Sequence, residues 1–129
     1  MNRAIIAFVI VWTSILALPV HARLMRGVRA WPIDGTEGLV LGVLLGEDTV
    51  YAPRYSDSGF RHVVLGMSRS QVEALIGAPQ RKWPTDEHTD HPDVGARWSY
   101  SPGDTHFRCR VLLFRNGVVV EKHSDFYVD

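Results

Sequence analysis

The residues best suited to chemistry lie in the run Asp86-Glu87-His88-Thr89-Asp90-His91-Pro92-Asp93. Imidazole and carboxylate are suitable ligands for zinc or a similar cation, so His88, His91 and Asp90 form the candidate metal set. In an extended loop the two imidazoles need not face the same way, and Pro92 stiffens the backbone beside them. A solvated acidic loop is therefore the plainer reading. A second set, His106, His123 and Asp125 with Ser99 or Ser101, could meet at the open end of a sheet as an acid–base or triad arrangement. These residue types are ordinary at strand ends. No Gly-x-Ser-x-Gly elbow accompanies them, and no base is evident beside the single cysteine, Cys109. Cys109 reads as a small buried apolar residue on a strand. Gly-rich phosphate cradles are absent, so no cofactor is implied. The 14 basic and 14 acidic side chains balance, which gives no electrostatic footprint for nucleic acid. The expectation is a protein without catalysis.

The elements that would position these residues are organised around Gly66-Met67-Ser68-Arg69-Ser70-Gln71-Val72-Glu73-Ala74-Leu75-Ile76-Gly77-Ala78-Pro79. Ser68 and Gln71 have the spacing of a capping box, and Met67 and Val72 that of a hydrophobic staple. Val72, Leu75 and Ile76 form one apolar stripe, and Gly77 followed by Pro79 stops the helix. Upstream, Ser56-Asp57-Ser58 offers N-caps for a second short helix containing Phe60, Val63 and Val64. Together the pair makes a helical hairpin whose apolar side chains, Met67, Leu75 and Ile76 included, should form one core layer. Residues 80–95 read as a long polar loop. Residues 96–101 carry a strand pattern with Trp98 and Tyr100, and Phe107 to Arg115 forms the longest strand before Asn116-Gly117, a type I′ hairpin signal.

That turn places Arg115 opposite Val118, Phe114 opposite Val119 and Leu113 opposite Val120. One hairpin face then carries Phe107, Cys109, Val111, Leu113, Val118 and Val120, a continuous apolar surface on which the helices should dock. The other carries Leu112, Phe114 and Val119 near the turn, with Arg108, Arg110, Glu121 and His123 further away. If uncovered, it is the candidate partner surface, contacting through Leu112, Phe114, Val119 and Arg110; coverage by residues 39–45 is the competing reading. That run is bounded by Gly38 and Gly46 and suits a short edge strand.

At the N-terminal end, Arg3 precedes an apolar run from Ala4 to Leu18, and Val20 and Ala22 occupy the small-residue positions of a cleavage site. This reads as a signal peptide over residues 1–22, implying export to the periplasm. The alternative is an uncleaved inner-membrane anchor. Arg23, Arg26 and Arg29 favour it, since positive charge there hinders translocation and could instead meet phospholipid headgroups. Residues 23–37 read as a linker or arm, and 38–129 as one α+β domain of two layers, a short helical hairpin on a three- to four-stranded antiparallel sheet.

The order of elements, with Gly66-Met67-Ser68, Gln71-Val72, Leu75-Ile76-Gly77 and Pro79, then Trp98 and Tyr100, then Phe114, Asn116, Gly117 and Val119, resembles the SmpA/OmlA (BamE-like) family over residues 60–120. The resemblance implies the same α+β fold and a protein-binding role, without catalysis, in bacterial outer-membrane or envelope assembly. The chain departs from the family in lacking a lipid-modified cysteine near residue 22, in its region 38–55 and in its last eight residues. A ligand- or metal-binding module using residues 86–93, and an inhibitor-like binding domain, are the alternatives.

Overall fold

In the computed structural model, which describes residues 3–84 and 95–129, three helices accompany one four-stranded antiparallel sheet. The helices are α1 (Arg3–Leu45), α2 (Asp57–His62) and α3 (Arg69–Ile76); the strands are β1 (Arg81–Pro84), β2 (Ala96–Ser99), β3 (His106–Arg115) and β4 (Val118–Val128), in spatial order β1-β2-β3-β4. The expected two-layer α+β architecture holds.

Helix α3 forms for the reasons its sequence gives. The Ser68 hydroxyl accepts from the Gln71 amide at 3.2 Å while the Gln71 side chain accepts from the Ser68 amide at 2.8 Å, completing the capping box. Gly77 ends it at φ 77, ψ −173, an extended positive-φ conformation open essentially to glycine, rather than the left-handed helical one. Ser56 caps α2 by accepting from the Gly59 amide at 3.0 Å. Lys122 stands at the other end of α2 and donates to the carbonyls of Phe60 and Val63 at 2.8 and 3.0 Å.

Four expectations change. Residues 23–37 are helical and packed, not an arm, and 39–45 are helix rather than edge strand, because α1 reverses at Gly35 (φ 67, ψ −166). The arms 3–34 and 36–45 then lie side by side: Gly27 faces Leu39, and the Arg23 guanidinium rests on Gly46. Residues 81–84 pair with β2 instead of belonging to a loop. The β3–β4 hairpin keeps its type I′ turn, with Asn116 and Gly117 at φ 52 and 79, but a bulge beyond Phe114/Val119 sets Leu113 opposite Glu121, not Val120.

The docking face is also reversed. Helices α2 and α3 cover Leu112, Phe114 and Val119, which join Phe60, Val63, Val72, Ile76, Trp98 and Tyr100 in the main core. Register explains the choice: Ala96 and Trp98 stand opposite Phe114 and Leu112, extending that face with apolar side chains, whereas the rival face receives Arg97. Val111 and Leu113 form a small separate cluster on the rival side with Cys109 and Val120. Val64 and Leu75, expected in the core, are exposed.

Candidate functional site: a buried ion cluster and an apolar tip

Arg108 and Arg110 alternate along β3 and therefore share its helix-covered face. Both are fully buried, a placement that requires compensating charge. The Asp34 carboxylate, itself fully buried, supplies it: Arg108 Nη1 donates to Asp34 Oδ2, and Arg110 Nη1 lies 2.6 Å from Oδ1. Glu47 Oε2 stands 2.9 Å from Arg108 Nε and accepts from the Thr49 hydroxyl at 2.8 Å. Arg26 Nε approaches Glu47 at 3.8 Å. On the far side Arg110 Nε donates to the Tyr55 hydroxyl at 3.0 Å, which donates to Asp57 at 2.6 Å. Burial, with Asp57 adding to it, pushes the Tyr51 and Tyr55 phenols far above their ordinary range. Burial opposes the charge on Arg110, but its contact with Asp34 more than restores it.

The arm 36–45 closes over these guanidinium groups with glycine. A Cβ on Gly42 would stand 2.6 Å from Arg108 Nη2, so nothing larger fits without moving the arginine. The guanidinium groups also pack on rings, Arg108 on Phe126 at 5.3 Å and Arg110 on Phe60 at 5.9 Å. The cluster's chemistry is mutual neutralisation, and it fastens α1 to the sheet.

The proposed contact residues Leu112, Phe114, Val119 and Arg110 are thus interior, beneath α1, α2 and α3, and do not form an exposed surface. The cause is the acidic content of α1 and its following loop, which makes the arginine-bearing face fit to cover. His88, His91 and Asp90 lie outside the described residues. His123 and Asp125 share one face of β4, but Ser101 does not join them: its hydroxyl is buried and donates to the Arg108 carbonyl at 2.5 Å. His123 instead pairs with Glu121 at 2.9 Å. The Cys109 thiol is half-buried and pushed up to about 11 by burial and then by Asp125, which leaves it protonated at neutral pH. Nothing local in the sequence marks Asp34 and Glu47 as ion-cluster residues. The available signal was two arginines two apart on an otherwise apolar strand, which require buried acids from elsewhere.

The exposed feature with binding character is the loop between α2 and α3. Gly66 donates to the Val119 carbonyl at 2.8 Å and Val119 to the Met67 carbonyl at 2.9 Å, so this loop runs along the start of β4. It projects Val64 and Leu65, 57% and 64% exposed, beside half-buried Val120, above a shallow groove also lined by Lys122 and His123. The flanking polar groups are already engaged, Lys122 at the end of α2 and His123 with Glu121.

Comparison with family models, curated proteins and solved structures gives no match for this chain. The SmpA/OmlA resemblance rests on the motifs quoted above.

At the opposite end of the sheet, Asp48 clamps the loop before β3. Its carboxylate accepts from the amides of Asp104 and Thr105 at 3.0 and 2.8 Å. These bonds, chiefly that from the Thr105 amide, hold its pKa below the usual carboxylate value. A depressed carboxylate stabilises the fold above its unfolded pKa of about 3.9, and that contribution is lost as pH falls through the lower folded value. Wild-type protein is therefore expected to melt above Asp48→Asn at pH 7, with the gap closing as pH falls through the depressed folded value. Thermal melts of both proteins across that range check it; a gap independent of pH would show that the clamp does not depend on charge.

Proposed function

We propose that this chain is an exported, non-catalytic protein-binding module of a bacterial envelope, working in outer-membrane or envelope assembly. The observation that carries the reading is the exposed Val64-Leu65 tip beside Val120. Two adjacent, largely exposed aliphatic side chains over a groove whose polar groups are hydrogen-bonded within the domain suit an apolar segment of a protein partner. The N-terminal apolar helix is compatible with export, and the family resemblance supports the envelope role. Arg23, Arg26 and Arg29 would contact phospholipid headgroups where the chain meets the membrane.

The test is site-specific photocrosslinking from position 65 in intact cells, compared with Val64→Asp and with a crosslinker at Arg54. Crosslinks to a barrel-assembly component from position 65 alone, lost in Val64→Asp while its melting curve is unchanged, are expected. Crosslinks only to lipid, or crosslinking unaffected by Val64→Asp, would overturn the reading. So would protection of the domain from protease added to spheroplasts.

A further inference from the structure

We infer that the N-terminal arm of α1 is retained as a transmembrane anchor rather than removed as a leader, and that anchor and sheet move as one body, which sets the domain's orientation on the bilayer. The inference goes beyond the partner-binding reading and does not depend on it.

Residues 4–22 contain no Asp, Glu, Lys or Arg. As helix they extend roughly 28 Å, close to the hydrocarbon thickness of a bilayer. The most apolar window of the helix has a mean hydropathy of 2.2 and none of it is buried in the protein. Its two hydroxyls are satisfied within the helix: Thr13 donates to the Val9 carbonyl at 2.8 Å and Ser14 to the Ile10 carbonyl at 2.7 Å. Internal satisfaction of this kind is what a hydrocarbon environment demands of polar groups. The occupant of this apolar surface is therefore lipid.

The helix passes through the expected cleavage point at Ala22 and continues to residue 34. Beyond that point it belongs to the fold, since Gly27 meets Leu39, Ala30 is buried, and Asp34 enters the arginine pair. Arg23 and Arg26 follow the apolar run immediately, against Gly46 and Glu47, at the depth where long cationic side chains reach the membrane surface. Asp48 donates its amide to the His106 carbonyl, so the start of β3 lies at the membrane end. The β3–β4 turn lies about 30 Å further along the strand. Because the connection is a helix latched by Asp34, and not a linker, this polarity is fixed.

The experiment uses the full chain. Mass spectrometry of the membrane-bound protein is expected to recover residues 4–22 joined to residue 23, with resistance to alkaline carbonate extraction. Loss of residues 1–22, or release by carbonate, would overturn retention. For orientation, a fluorophore is placed at His106→Cys or Asn116→Cys in a Cys109→Ser background, in phosphatidylcholine vesicles containing headgroup spin-labelled lipid. Quenching at position 106 with none at 116 is expected, and Asp34→Ala should reduce the contrast. Equal quenching at both positions would overturn the fixed orientation. A domain protected from protease in spheroplasts would defeat export while leaving the anchor in place.

Discussion

Replacing Asp34 with alanine is expected to destabilise the protein by about 3–5 kcal/mol, the cost of leaving a buried charge uncompensated. Two guanidinium groups depend on this one carboxylate, and neither can reach water, since Arg108 and Arg110 are sealed by the arm 36–45 and by α2. Glu47 and Asp57 would remain, but each already has its own geometry, at 2.9 Å from Arg108 and 3.6 Å from Arg110. Because the cluster is buried, the loss should change little between low and high salt, unlike that of a surface pair. The companion variant replaces charge with volume: Asp34→Leu with Arg108→Met and Arg110→Met should recover most of the stability, since apolar substitution of a whole buried ion cluster is often neutral or better. Urea titrations of the detergent-solubilised chain measure both. A loss under 1 kcal/mol for Asp34→Ala would mean that the acids of the following loop, not Asp34, hold the arginines.

The same cluster explains what the sequence could and could not reveal. The start and end of α3 were legible, because cap and stop are local signals within one short run, but its buried side depends on what packs above it: Val72 and Ile76 enter the core while Leu75 is exposed, and Gly77 is extended rather than left-handed helical. The type I′ turn was legible for the same reason, as Asn116-Gly117 admits positive φ at both positions. The choice of covered face was not. By pattern, Phe107, Cys109, Val111 and Leu113 make the better apolar stripe, while the other stripe includes two arginines. Only knowledge that Asp34 and Glu47 arrive from a distant helix and loop makes the arginine stripe the buried one.

The bulge hid in the same way. Three valines in succession, Val118 to Val120, carry no alternation, so pairing from the turn could not show where one residue slips. In the structure Val119 enters the main core and Val120 joins the small cluster on the other side. Residues 23–45 misled for a different reason. Pro32 and Gly35 suit turns and Gly38 and Gly42 suit the edge and break of a short strand, yet Pro32 sits within the helix, Gly35 makes the reversal, and Gly42 gives the arm its close approach to Arg108. The candidate site suffered most, because its location was inferred from which face lay open.

Gly77→Val is expected to cost about 3–5 kcal/mol, from backbone strain and overpacking together. The residue sits at φ 77, ψ −173, where a β-branched side chain is strained before any neighbour is considered. A Cβ there would also stand 2.6 Å from Arg54 Cβ, which is the rigid root of that side chain and cannot swing away. The Gly77 carbonyl accepts from the buried Tyr100 hydroxyl at 3.0 Å, so moving the backbone to relieve the clash breaks the bond that ties the end of α3 to the sheet. Gly66→Ala separates the two causes. Its φ of 90 carries the strain, but no atom lies within 4 Å of the new Cβ, so its loss should be about 1 kcal/mol. Tyr100→Phe should likewise cost about 1 kcal/mol by removing the hydrogen bond alone. Thermal and urea melts of the three variants would then order them Gly77→Val far below the other two. Equal losses for Gly77→Val and Gly66→Ala would mean that the contact with Arg54 is relieved freely, and that conformation alone, not packing, sets where α3 stops.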